Sequence, residues 1–405
     1  MAANPNKTHS VAFVLPCLNE ARTIEACVRQ ASKAIQTLRD RHGLTGEVIV
    51  ADNGSTDGSQ ELATAAGARV VDIHERGYGA ALLGGFEAAE QASYLVMGDS
   101  DCSYDFLEAV PMVERLMDGA DLCMGSRFAG EIKPGAMPWK NRYIGNPALS
   151  GILRFLFKTD ISDAHCGMRA IRKEAYQSLS LTSQGMEFAS EMVLKAVLHG
   201  KQIAEVPITL WPDKRERAPH LNPWRDGFRH LGYMLLLSPR HLFLWPAVVF
   251  FVIGLALFII LLGNSDAKIV QFGPLRFGDH WAIVASALVI IAVQTATIGI
   301  TATVYSVQQR FRPNSGRLVA LLRRSRLEYW LLTGATCILT GAIWALNVTA
   351  GWISSDFASL DKVRSLSAAG TLTVVGMQIF FTGFLYSVIA GISSTHGRIF
   401  GADQD

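Results

Sequence analysis

The last 165 residues of the chain hold four windows without a charged side chain, Leu242–Leu262, Trp281–Val307, Tyr329–Ile353 and Gly370–Ile392, of 21, 27, 25 and 23 residues. At about 1.5 Å of rise per residue, each can cross a hydrocarbon core of roughly 30 Å as a helix. Buried helices of a water-soluble core are the bland alternative, and four such runs in one half of a chain argue against it. The expectation is a membrane protein with four transmembrane helices.

The other half is different in kind. Residues 1–240 carry 26 Lys/Arg and 28 Asp/Glu, whereas residues 241–405 carry 11 and 7. A mean hydropathy of +0.24 is therefore an average over two unlike parts. Half of the residues are hydrophobic, which excludes a disordered chain. The six cysteines, Cys17, Cys27, Cys102, Cys123, Cys166 and Cys337, make no CxxC pair and exclude a disulfide scaffold. A net charge of +2 gives no reason to expect a nucleic-acid partner.

Orientation follows from the loops. Segment 308–328 holds Arg310, Arg312, Arg317, Arg323, Arg324 and Arg326, whereas loops 263–280 and 354–369 hold two basic residues each. The positive-inside rule puts 308–328 in the cytoplasm, and with four spans the N-terminal domain and both termini share that side. Met1–Ser10 lacks a basic n-region and Val11–Leu15 is too short for an h-region, so no signal peptide is expected. Unpaired cysteines fit the cytoplasm. The expected division is a cytoplasmic domain over 1–222, an amphipathic helix over 223–240 and a membrane domain over 241–405. In Trp224–Arg240, Trp224, Phe228, Leu231 and Leu235 recur at helical spacing, with Arg225 and Arg229 on another face. Such a helix can lie in the membrane interface; packing on its own domain is the alternative.

Within residues 1–240, short Val/Ile/Leu-rich runs alternate with helical patterns. Ser10–Leu15, Glu47–Ala51, Arg69–Ile73, Tyr94–Gly98 and Asp121–Gly125 read as buried strands. Helices are expected near Ala21–Asp40, Ser59–Ala66, Ala80–Ala92 and Phe106–Met117. This order predicts an α/β domain with a mostly parallel, Rossmann-like sheet, whose ligands bind beyond the carboxyl ends of the strands.

The polar motifs fall at those ends. The first strand runs into Pro16-Cys17-Leu18-Asn19-Glu20, the second into Asp52-Asn53-Gly54-Ser55-Thr56-Asp57-Gly58-Ser59, and the fourth into Gly98-Asp99-Ser100-Asp101. Neighbouring acidic strand ends repel one another unless a cation, a ribose or a base lies between them. Asp57 and Ser59 are equally suited to capping a helix. Asp99 and Asp101 are two apart, so on an extended chain they point the same way and suit a hard divalent cation. Histidines and cysteines form no zinc-ligand cluster.

The series LPCLNE, ADNGSTDGS, RGYGAALLGG, GDSDCSYDF, GSR and DAHCGMRA resembles family 2 glycosyltransferases of the GT-A fold, over roughly residues 10–240. Within that family it is similar to the polyprenyl-phosphate glycosyltransferases, the dolichol-phosphate mannose or glucose synthase type. The resemblance implies that Pro16, Glu20, Asp52 and Arg76 hold the nucleotide of a sugar donor. It implies that Asp99 and Asp101, with Ser103, face the sugar and a Mg²⁺ or Mn²⁺ ion. Arg127, with Arg142, Arg169, Arg215 and Arg217, is implied in binding phosphate, and Asp99, Asp101 and Arg127 in catalysis. Cys17 replaces an aromatic and Asn53 a second Asp of the family pattern, which leaves uracil and guanine both open as the base.

An acceptor that is already a phosphate anion needs little base catalysis, so the demands are in-line positioning and stabilisation of the leaving nucleotide. The expected reaction is inverting transfer of a hexose from a UDP- or GDP-linked donor to a polyprenyl phosphate, and the sequence leaves a homo-oligomer open. Three alternatives stand beside it. A processive polysaccharide synthase shares the fold, but the chain lacks QxxRW. Transfer to a diacylglycerol or ceramide hydroxyl needs a base, for which Asp163 or Glu191 is the candidate. A non-catalytic lipid-binding or flipping protein would leave the DxD motif unexplained.

Overall fold

The computed structural model describes residues 9–214, 223–264, 269–309, 311–313, 317–357 and 362–390. The chain divides into two compact units, Met1–Met234 and Leu235–Asp405.

In the first unit the strands are β1 (Ser10–Cys17), β2 (Thr45–Asp52), β3 (Arg69–Asp72), β4 (Tyr94–Met97), β5 (Leu122–Ile132), β6 (Arg169–Arg172) and β7 (Ile203–Leu210). The helices are α1 (Ile24–His42), α2 (Ser59–Ala65), α3 (Tyr78–Ala88), α4 (Val110–Met117), α5 (Asn146–Phe157), α6 (Lys173–Leu179), α7 (Phe188–Leu198) and α8 (Pro223–Leu236). One sheet forms in the order β3-β2-β1-β4-β6-β5-β7. Only β6 runs antiparallel, against both β4 and β5.

The five expected strands are present, and their runs are apolar because both sheet faces are covered. Val11, Phe13, Leu15, Val48, Val50 and Val96 pack with α1, α2 and α4 on one face. On the other, α3 crosses β1 and β2 closely enough that a Cβ on Gly85 would meet Val14 Cγ1 at 2.4 Å. Helix α1 buries Ile24, Cys27, Val28, Ala31, Ala34 and Leu38 along one stripe. Burial of a leucine-sized side chain contributes about 1.5–3 kcal/mol. It ends at Gly43, whose φ of +68° is left-handed and whose N–H bonds Arg39 O.

Three boundaries differ from expectation. The Phe106–Met117 helix is a 3₁₀ turn, Phe106–Ala109, followed by α4, because Pro111 lacks an N–H and is tolerated only in a first turn. Strand β5 continues past Gly125 to Ile132, pairing with β7 through a register shift between Ser126 and Glu131. Strands β6 and β7 carry no apolar run that marks them; β6 is Arg-Ala-Ile-Arg.

In the second unit, α9 (Trp245–Gly263), α10 (His280–Gln308), α12 (Leu327–Ser354) and α13 (Val363–Ile389) are the long helices. The short α11 (Arg317–Arg323) and the hairpin of β8 (Val270–Phe272) and β9 (Leu275–Phe277) lie between them. Four helices are long and apolar enough to cross a membrane, the first counted from Arg240. Helices α12 and α13 touch at glycines: a Cβ on Gly341 would meet Thr373 N at 2.7 Å, and one on Gly376 would meet Gly334 O at 2.8 Å. Small residues permit this approach where lipid supplies no hydrophobic drive. The fourth helix begins seven residues before the expected Gly370. Its first turn carries Arg364, buried, donating to Asp279 Oδ1 at 2.7 Å, Asn264 O at 2.8 Å and Leu261 O at 3.2 Å. Those bonds let a cation start an otherwise apolar helix.

Candidate active site

Parallel pairing puts the carboxyl ends of β3, β2, β1 and β4 side by side, with Cys17 opposite Asp52 and Asp52 opposite Asp72. Pro16, Glu20, Asp52, Arg76, Asp99, Asp101 and Ser103 all lie on or just beyond this edge. Cross-links hold it rigid. Asn53 N donates to Cys17 O at 2.8 Å, Ser100 Oγ to Pro16 O at 2.8 Å, and Thr23 Oγ1 to Ser100 O at 2.6 Å.

Asp52 is buried, and its two oxygens are treated unequally. Oδ2 accepts from Gly54 N and Ser55 N, both at 2.9 Å, and from Gln60 Nε2 at 2.7 Å. Oδ1 is buried and has no hydrogen-bond partner. Burial pushes the carboxyl up, but hydrogen bonds from Ser55, Gln60 and Gly54 outweigh it and hold the pKa below the usual value. Gly54 turns with φ of +92° beneath the Arg76 guanidinium, which a Cβ would meet at 2.9 Å. Arg76 Nη1 donates to Asn53 O at 2.8 Å. Asn53, chosen in sequence only as a departure, ties this corner: its side-chain NH₂ donates to Ile73 O and Glu75 O, and its Oδ1 accepts from Gly77 N.

Asp57 binds Ser59 N and Oγ with one oxygen and Ala21 N with the other, so Asp57 satisfies the first N–H of α2 while Ser59 is its first residue, behind a Gly58 cap. Ser59 Oγ in turn accepts from the backbone N–H of Glu20 at 2.9 Å.

The DxD segment is not extended. The chain turns through Ser100–Asp101, Cys102 sits at φ +62°, and side-chain alternation does not apply. Asp101 is buried, its Oδ1 accepting from Ser103 N at 2.9 Å and its backbone O from Lys214 N at 3.2 Å. Asp99 Oδ1 accepts from Tyr78 OH at 3.0 Å. Tyr78 was passed over in the sequence as part of a glycine turn. Gly167 was also missed: a Cβ there would lie 2.6 Å from Asp99 Oδ2. Asp99, Asp101 and the Ser103 hydroxyl are hard oxygen donors, which suits Mg²⁺ or Mn²⁺. Among the described residues no group of three or more His, Cys, Asp or Glu is placed to hold an ion.

The arginines divide. Arg127 is buried and clamped by Asp163, with Nε 2.7 Å from Oδ2 and Nη2 2.8 Å from Oδ1, while its backbone N–H also donates to Oδ2. Arg169 has no exposed surface; its guanidinium donates to the carbonyls of Cys166, Ala164 and Ala189. These bonds pin the 163–169 loop to α7, a bracing role in place of the phosphate contact expected for Arg169. Arg142 lies apart, in the excursion between β5 and β6, with its guanidinium 5.5 Å from the Tyr143 ring. That excursion exposes Trp139, Tyr143, Ile144 and Phe155, and Ile132–Thr159 contains five basic residues and no acidic one. Arg215 and Arg217 lie outside the described residues.

Neither expected general base fits that task. Asp163 is fully buried; burial pushes its carboxyl up, but the bonds from Arg127 dominate and hold it below the usual range. Glu191, also fully buried, accepts from Thr182 N and Ser183 N and pairs with Lys195 at 2.7 Å. Beside Asp163, the rings of His165 and His230 are 5.0 Å apart, and Ser190 Oγ lies 2.7 Å from His230 Nδ1 on α8. Burial, then the nearby His230, pushes His165 down to about 3.

Residues 12–180 match the family described as glycosyl transferase family 2, and residues 300–390 its C-terminal transmembrane region. The low-salt glycan biosynthesis hexosyltransferase Agl6 of Haloferax volcanii is 33% identical, over 95% of this chain and 90% of that protein. The chain belongs to glycosyltransferase family 2. This family 2 glycosyltransferase is also 30% identical to the polyprenol monophosphomannose synthase of Mycolicibacterium smegmatis, over 51% of this chain and 79% of that one. To a dolichyl-phosphate hexose transferase of Haloferax volcanii it is 33% identical, over 45% and 76%. It is a membrane enzyme of this family, with a mostly parallel GT-A-like sheet followed by four apolar helices.

Proposed function

We propose that this enzyme moves a hexose from a nucleotide sugar to a polyprenyl phosphate, with inversion at the anomeric carbon. The observation that carries the reading is the buried, unpartnered Asp52 Oδ1 at the carboxyl edge of the sheet. An orphaned acceptor in the interior costs about 1–3 kcal/mol, which a nucleobase or ribose donor offsets on binding. Glu20, Pro16 and Arg76 complete the nucleotide's surroundings. Asp99, held by Tyr78, orients sugar hydroxyls, and Asp101 with Ser103 faces the diphosphate. A Mg²⁺ or Mn²⁺ ion held by the two aspartates would supply charge stabilisation for the departing nucleoside diphosphate.

The phosphate acceptor is favoured over a lipid hydroxyl because both candidate bases are locked in buried pairs. An acceptor phosphate oxygen is anionic at neutral pH and attacks without losing a proton. Arg142 is the phosphate contact we favour, on an exposed, basic and aromatic excursion suited to a lipid surface. Arg127 positions the 163–169 loop. We further propose that residues 1–222 form the cytoplasmic catalytic domain and 241–405 its membrane domain. The 223–240 segment lies in the interface, with Phe228 exposed on α8.

Full-length protein supplied with nucleotide sugars and undecaprenyl phosphate should release nucleoside diphosphate and form a lipid-linked sugar labile to mild acid. Asp101→Ala should lower turnover at least about 10³-fold while the protein stays folded. An acid-stable glycolipid would instead support the hydroxyl acceptor, and turnover in Asp101→Ala equal to wild type would sink the assignment.

A further inference from the structure

Two thiols meet directly behind the DxD turn. Cys27 Sγ, on α1, lies 3.6 Å from Cys102 Sγ, although 75 residues separate them in sequence. Cys102 stands between Asp101 and Ser103. Cys27 is completely buried, whereas Cys102 keeps 9% of its surface exposed. Cys102 Sγ is also 3.7 Å from Thr23 O, one helical turn before Cys27. Thr23 is bonded through its hydroxyl to Ser100 O, so the first turn of α1 and the Asp99–Ser103 turn are already joined.

We propose that Cys27 and Cys102 form an oxidisable dithiol site, which a peroxide converts to a disulfide that displaces the Asp99–Asp101 turn and stops transfer. Its effect on transfer rests on the role given above to that turn. A disulfide is about 2.05 Å long, so the sulfurs must close by roughly 1.5 Å. Cys27 is fixed in a hydrogen-bonded helix within the core, hence Cys102 moves, and it carries Asp101 and Ser103 on either side. Cys102, the less buried of the two residues, attacks the peroxide; the O–O bond breaks, giving a sulfenic acid and one water. Cys27 sulfur then attacks that sulfenic sulfur, the S–O bond breaks, and a second water leaves. Two thiols lose two electrons and two protons, and one hydrogen peroxide is reduced to two waters. Neither cysteine belongs to a CxxC motif, so only the fold brings the pair together.

The test treats full-length detergent-solubilised protein with hydrogen peroxide, then alkylates and digests it. The expected result is a peptide pair joining Cys27 to Cys102, about 2 Da lighter than its reduced parts. Hydrogen exchange across residues 98–104 should rise, and turnover should fall by about tenfold or more. Dithiothreitol should reverse all three changes. Cys27→Ala should keep basal turnover and resist peroxide. Inactivation without the Cys27–Cys102 peptide overturns the proposal, as does linkage that leaves both exchange and turnover unchanged. If the reduced protein turns over no donor, the transferase reading fails separately. The peptide mass and the exchange of 98–104 still decide the thiol site.

Discussion

The two units bury arginine in contrasting ways. In the Met1–Met234 unit, Arg127 is clamped by an Asp163 with no exposed side chain, and Arg169 is enclosed by three carbonyls of the adjoining chain. In the Leu235–Asp405 unit, Arg364 shares its donors between two carbonyls and Asp279, whose side chain is 54% exposed. The first arrangement fixes the loop that carries Gly167 against Asp99. The second ties the end of α9 to the starts of α10 and α13. Charge inside the catalytic unit braces a site, and charge at the rim of the membrane unit gathers helix ends.

This contrast can be broken by experiment. Arg127→Ala leaves Asp163 buried and unpaired, and should cost about 3–5 kcal/mol, measured as a large fall in melting temperature. Arg127→Met combined with Asp163→Leu should recover much of that loss. If the double variant melts as low as the single one, the pair is not the brace described. Gly167→Ala should spare stability but lower turnover by about 10²-fold, since its Cβ would displace the Asp99 carboxylate. Unaltered kinetics in that variant would separate the loop from the chemistry. Arg364→Met should cost about 1–3 kcal/mol through its abandoned carbonyls. Asp279→Asn should cost under about 1 kcal/mol, because solvent screens an exposed partner. Equal losses for those two would make the membrane unit's arginine an ion pair like Arg127.

A further contrast concerns pH. His165 is held neutral in the fold down to about 3, against 6.5 when free. Between those values the unfolded chain binds a proton that the folded chain refuses, so stability falls as pH drops below about 6.5. Above that pH the residue adds no slope. His165→Gln should flatten the melting curve between pH 6.5 and 4, and an unchanged acid limb would place the titration elsewhere.

The sequence revealed what depends on short-range pattern. Charge-free windows located the membrane helices, and apolar runs located five of the six parallel strands. Acidic strand ends pointed to Asp52, Asp99 and Asp101. It was silent where a role depends on a distant partner. Whether Arg169 faces ligand or backbone is decided by Ala164, Cys166 and Ala189, and nothing local distinguishes the cases. Tyr78 and Gly167 matter through Asp99, which lies 21 residues after the first and 68 before the second. Arg364 escaped because a search for uncharged windows discards a helix start neutralised by tertiary bonds.

Strand β6 runs against its neighbours and pairs only with the first three residues of β5, Arg169 lying opposite Met124. The chain between them therefore leaves the sheet and re-enters it along one edge. Within that excursion, residues 133–158 carry Arg142 and the exposed aromatics, whereas Asp163 holds Arg127 of β5 and Gly167 packs against Asp99. The proposed donor residues lie at or just beyond the carboxyl ends of the parallel strands, whereas Arg142 and the exposed aromatics lie in the excursion. In the proposed function, donor and lipid contacts thus fall on separate stretches of chain that meet where Gly167 packs against Asp99.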